Sequence, residues 1–165
     1  MTMRNRSNDE LVEASDHLQY EFWMFMSLAN ALGTGVFGQG VLNNALLESF
    51  TVHARILFDF LYADHPKADD VIAEDFLEAP QAWKEQRPHQ SEILSAIHRR
   101  VGKEVAHLTY ARQEVTPETK PWPFAAIAQE VDVIFSRFLA LVSLDLLGPR
   151  WDEYKRHRRE RGDSA

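Results

Sequence analysis

The chain has no cysteine. That excludes disulfides, thiolate zinc sites, iron–sulfur clusters and cysteine nucleophiles, and it suits a reducing compartment. Long apolar runs are missing too. The longest stretch, Val131 to Leu147, is interrupted by Asp132, Arg137 and Asp145, so no membrane span is expected. The first ten residues carry charges but no apolar core of a signal peptide. A cytoplasmic protein without membrane contact is the expectation. Positive charge is short: 18 Lys and Arg stand against 25 Asp and Glu, a formal net charge of −7. This argues against a nucleic-acid binder held by its whole surface, while leaving room for a local basic site. Strand-like alternation and internal repeats are also lacking.

What is present is helical periodicity. Of 165 residues, 45% are hydrophobic, enough for a core in one domain. Ser7-x-x-Glu10 before Leu11 has the form of a capping box, so a first helix starts near Asn8. Its stripe is Leu11, Ala14, Leu18, Phe22, Phe25, Leu28 and Leu32. The glycines of 33–40 stop it. A second helix runs from about Val41 to Ala63, with Leu42, Ala45, Leu46, Ser49, His53, Ile56 and Phe60 as its stripe and Phe50, Leu57 and Leu61 widening it. Residues 64–90 are acidic and broken by Pro66, Pro80 and Pro88, with a short helix at Val71–Leu77 and a turn at Gln81–Glu85. A third helix, Ser91–Thr109, starts on Ser91 as N-cap and buries Ile97, Val101, Val105 and Leu108. A fourth starts at Phe124, is apolar on much of its surface, and is stopped by Gly148–Pro149. The expectation is an all-α, single-domain bundle of four to five helices. Its core spans about 8–147, followed by a basic tail at 148–165. The apolar excess on the second and fourth helices predicts a homodimer.

The sharpest candidate site is Arg100 with His107. Seven residues at about 100° each return the second side chain almost over the first. Both fall beside the Ile97–Val101–Val105–Leu108 stripe rather than in it. A histidine there titrates near neutral pH and can take or give a proton at an RNA ribose or leaving oxygen. A guanidinium can clamp phosphate oxygens and offset the charge of the transition state. Glu104, four residues after Arg100, offers an intrahelical ion pair instead.

Arg, six residues and His in a late helix of a small all-α protein resemble the R-x4–6-H motif of the HEPN family. Segments 46–55 and 105–110 also look like stretches of bacterial proteins with this helical layout. The resemblance implies a dimeric four-to-five-helix bundle and often a metal-independent endoribonuclease, with roles in toxin–antitoxin systems or phage defence. It also implies that the motifs of two subunits share one cleft. RNA is then the substrate, and an antitoxin or nucleotidyltransferase-like protein a possible partner. Val101 stands where catalytic members often have Asn, Asp or His, and Gly102 weakens the helix inside the motif. Those departures motivate an alternative, a non-catalytic interaction module. A bundle that binds a metal or small ligand between its helices is a third reading.

Glu48, His53, Arg55 and Asp59 on the second helix read either as support for a site or as a polar network reaching His17, Tyr20 and Glu21, and the network is favoured. Glu104-x-x-His107 has the spacing of carboxylate-bridged metal bundles, but no second copy exists, so no metal or cofactor is expected. Gly33-x-Gly35-x-x-Gly38 matches a dinucleotide fingerprint in letters only, because no strand precedes it. In the tail, Arg150, Lys155, Arg156, Arg158 and Arg159 offer an RNA-backbone contact, with Trp151 or Tyr154 stacking a base. A solvated terminal helix, or a tail that neutralises the acidic 64–85 segment, is the plainer reading.

Overall fold

A computed structural model describes residues 6–101, 110 and 121–161. Among these residues there is no strand, and six α-helices carry the architecture. The first, α1 (Asn8–Gly33), begins as the sequence predicts. The Ser7 amide donates to Glu10 Oε2 at 2.8 Å, and the Glu10 amide donates back to Ser7 Oγ at 3.3 Å. Gly35 and Gly38 then adopt φ of 67° and 60°, a left-handed backbone open to glycine at little cost. These turns reverse the chain into α2 (Val41–Tyr62).

The buried face of α2 is rotated from the expected one. Phe50, Ala54, Leu57 and Leu61 lie at its centre, while Leu42, Ala45 and Ile56 are exposed. The stripe read from the sequence followed one edge of a helix that is apolar almost all round. Val71–Leu77 is not an α-helix. A single 3-10 turn forms at Ala73–Phe76, with the Ile72 amide donating to Asp75 Oδ2 at 3.2 Å. The turn expected near Gln81–Glu85 is a short helix, α3 (Pro80–Gln86), with Pro80 in its first turn. Trp83 of α3 donates from Nε1 to the Leu61 carbonyl at 2.8 Å and so closes the end of α2.

Next comes α4 (Glu92–Arg100). Ser91 caps it, accepting from the Leu94 amide at 3.1 Å, and its hydroxyl also bonds Glu130. Ile97 and Val101 are buried as predicted, and Leu94 is buried with them. The expected continuation to Thr109, with Glu104, Val105, His107 and Leu108, lies outside the described residues. The central helix is α5 (Phe124–Leu141). It ends well before Gly148–Pro149, and short 3-10 turns at Leu144–Leu146 and Pro149–Trp151 lead into α6 (Asp152–Glu160).

Aromatic side chains hold the core. Phe138 meets the edges or faces of Phe60 at 5.0 Å, Trp83 at 5.7 Å, and Phe76 and Phe135 at 5.9 Å. Phe22 stacks on Phe135 at 4.1 Å. These ring pairs join α1, α2, α3 and α5 with geometries that add to plain apolar burial.

Candidate functional site

Arg100 sits in the last turn of α4, half-buried. Its guanidinium carbon lies 4.2 Å from the centre of the Trp122 ring, and Nη1 donates to the Pro121 carbonyl at 3.3 Å. An indole is the strongest of the aromatic platforms for a cation, and it fixes the plane of the guanidinium. The ring is itself seated against Phe50, 6.4 Å away and edge-on. His107 and Glu104 lie outside the described residues, so Arg100 is the described member of that trio.

The cluster on α2 is divided. His53 is buried, and its Nδ1 lies 2.6 Å from Glu21 Oε2 of α1, with the Tyr20 ring edge-on at 6.0 Å. Glu21 and Tyr20 were among the partners expected for a polar network. Glu48 and Arg55 are exposed on the opposite side of the helix. They do not converge with His53.

Arg55 stays with Asp59 of that cluster, and the third member, His98, is what sequence reading missed. The Arg55 Nε lies 3.5 Å from Asp59 Oδ2, and the other Asp59 oxygen lies 3.6 Å from His98 Nε2 of α4. His98 leans on the Phe58 ring at 5.4 Å. These groups border a groove of about 720 Å³ between α1, α2, α4 and the 63–71 segment, with His17 and Glu21 on its α1 side. The volume is in the range that takes a small ligand. Asp59 thus stands between an imidazole and a guanidinium at the groove's edge, all three partly open to solvent. Asp59 and His98 are 39 residues apart. Tyr62 also lines the groove; burial raises its pKa, partly offset by Arg87, and its hydroxyl donates to the Pro88 carbonyl at 2.9 Å. Among the described residues, no group of three His, Asp or Glu side chains is arranged to hold a metal ion.

The tail is not a free basic arm. Trp151 is buried against Phe135, and its Nε1 donates to the Ser15 carbonyl at 2.8 Å, so it is no base-stacking platform. Arg158 is 5% exposed. It donates to the carbonyls of Leu139, Val142 and Ala140 at 2.9, 2.8 and 3.0 Å, which removes it from any RNA contact. Lys155 is spent on the Leu147 carbonyl at 3.1 Å and Asp152 at 2.7 Å. Arg150, Arg156 and Arg159 are exposed, and Arg150 passes 5.9 Å from the Tyr20 ring.

Comparison with family models, curated proteins and solved structures gives no match to this chain. What can be stated of its class is an all-helical protein in which no described helix is long and apolar enough to cross a membrane.

Proposed function

We propose that the protein is a HEPN-like, metal-independent endoribonuclease in which Arg100 clamps the scissile phosphate and His107 moves the proton. The supporting observation is the seat of Arg100: its guanidinium is stacked on Trp122 at the end of α4, seven residues before His107. A cation held through its face keeps its N–H donors in a fixed plane, the arrangement that two phosphate oxygens require. Orientation made in advance of substrate is what transition-state stabilisation by a fixed charge needs. The test is cleavage of RNA by the purified protein with EDTA present. His107→Ala and Arg100→Ala are each expected to lower the rate by about a hundredfold or more. Cleavage at one rate by all three proteins, or cleavage lost in EDTA, would overturn the reading.

A second reading, a small ligand bound between the helices, is favoured by the groove beside His98, Asp59 and Arg55. A ligand there would raise the melting temperature of the wild type but not of Asp59→Asn, and it would leave Arg100→Ala responsive.

A further inference from the structure

The end of the bundle where α1 turns into α2 carries no charge. From Phe22 to Leu47 there are 26 residues without Asp, Glu, Lys, Arg or His, and the next longest such run in the chain, 121–129, has nine. The run covers about the last three turns of α1, the connection, and about the first two turns of α2. It therefore takes in every side of both helices. This end projects past the start of α5. Phe124, the first residue of α5, meets Phe50, and Phe138 meets Phe60, so α5 starts level with Phe50 and runs away from the tip. At the tip Val36 is 74% exposed, Val41 87% and Leu42 59%. Single apolar residues on a surface need no explanation, but a charge-free end that gathers three of them does.

We infer that this end seats in the surface of a lipid bilayer. The distribution of charge chooses that occupant over a protein. A protein partner covers one face of a helix pair, so charge need leave only that face. A bilayer surrounds whatever dips into it, and charge must then leave every side, as it has here. The backbone of the turn agrees. Where water is scarce, each amide needs a partner within the protein. The amides of Thr34, Gly35 and Gly38 donate to the carbonyls of Asn30, Leu32 and Gly35 at 3.2, 3.1 and 3.2 Å, and the Val36 amide donates to Thr34 Oγ1 at 3.3 Å. Neutral Asn30, Gln39, Asn43 and Asn44 among the apolar side chains suit a shallow seat at the headgroup boundary, not the hydrocarbon centre. Trp23 and Tyr20 are exposed ten and thirteen residues before Gly33, about 15 and 20 Å behind the tip. Aromatic rings with a polar edge collect at such a water boundary. Charge resumes at the same level, with Glu21 and with Arg150 passing 5.9 Å from the Tyr20 ring. A protein of net charge −7 gains nothing from anionic lipid, so the surface it fits is a zwitterionic one. This inference is independent of the ribonuclease reading. It departs from the expectation of no membrane contact, which rested on the lack of a spanning segment.

The experiment is co-sedimentation with sucrose-loaded phosphatidylcholine vesicles, with circular dichroism as the check on folding. The chains compared are the wild type, the double variant Val36→Asp/Leu42→Asp, and Val133→Asp on α5. Val133 is exposed to the same 59% as Leu42 but lies outside the charge-free end, so it controls for general stickiness. All the substituted side chains are exposed, so the fold is not at stake. The wild type is expected to pellet with the vesicles at low and at high salt alike, because no ion pair holds it there. Two carboxylates at the tip should lower the vesicle partition coefficient by about tenfold or more. Val133→Asp should bind as the wild type does. A wild type that stays in the supernatant, a tip variant that binds equally, an equal loss in Val133→Asp, or release by salt would each overturn the proposal.

Discussion

Glu74 turns its carboxylate inward from the Ala73–Phe76 turn and is 6% exposed. Neither oxygen has a hydrogen-bond partner among the described residues, and the Lys84 ammonium stands 4.0 Å away. Burial is the main cause that raises its pKa, opposed by its own amide, Lys84 and Arg87 and helped by Asp75. A raised native pKa means that the fold holds this proton more tightly than the unfolded chain does. The contribution to stability is therefore complete below the ordinary carboxylate range and is lost as pH rises through the raised value. Glu74→Gln removes that loss. Thermal melts should show the variant more stable by about 1 kcal/mol at pH 7, with the gap closing towards pH 4. A constant difference across that range would show that Glu74 is not the titrating group. The sequence displayed Glu74 only as one of many acids in 64–85. Its burial follows from how the Ala73–Phe76 turn packs on α3, which the count of acids does not show.

Helix α6 owes its place to one residue. The carbonyls at the end of α5 face no basic residue in its own last turn, and Arg158 arrives from α6 to satisfy three of them. A cation at a helix C-terminus also opposes the helix dipole. Arg158→Ala should cost roughly 2–4 kcal/mol in denaturant unfolding, and Arg158→Lys should recover only part of it, since an ammonium cannot span three carbonyls. Equal stability of all three proteins would refute this role. Local patterns served well where the cause is local. Ser7 with Glu10 and Ser91 mark helix starts by their own side chains, and both starts are found as read. They served poorly for α2, whose Leu42, Ala45 and Ile56 resemble core residues but face outward. For the tail they pointed to a solvated terminal helix, and α6 is mostly exposed, but they did not show that Trp151 and Arg158 are drawn into the body. The counting of charges does not show that one Arg among five is surrounded by carbonyls.

The bundle as a whole converges on Phe138, which contacts rings from α2, the Ala73–Phe76 turn, α3 and its own helix. Phe138→Ala should cost about 3–5 kcal/mol and lower the midpoint of every spectroscopic signal together. Separate transitions for α3 and for the rest would contradict a single cooperative core. The all-helical class was legible because helical periodicity recurs in the long segments and strand-like alternation does not appear. The groove was not legible, because Asp59, His98 and His17 come from three helices whose mutual rotation is fixed only by packing.

The contact between α1 and the turn before α6 reaches across most of the chain. Gly148 donates its amide to Ser15 Oγ at 2.7 Å, and the Arg150 amide donates to Asp16 Oδ1 at 3.0 Å. A Cβ on Gly148 would run into the Asp16 carboxylate, so a larger residue there requires that side chain to move. This contact joins positions 133 residues apart. During synthesis, Ser15 and Asp16 must therefore wait until Gly148 and Arg150 have been made before they find these partners. Until then the buried polar edge of α1 is open to solvent or to a chaperone, and a nascent chain stopped short of Gly148 leaves that edge unsatisfied.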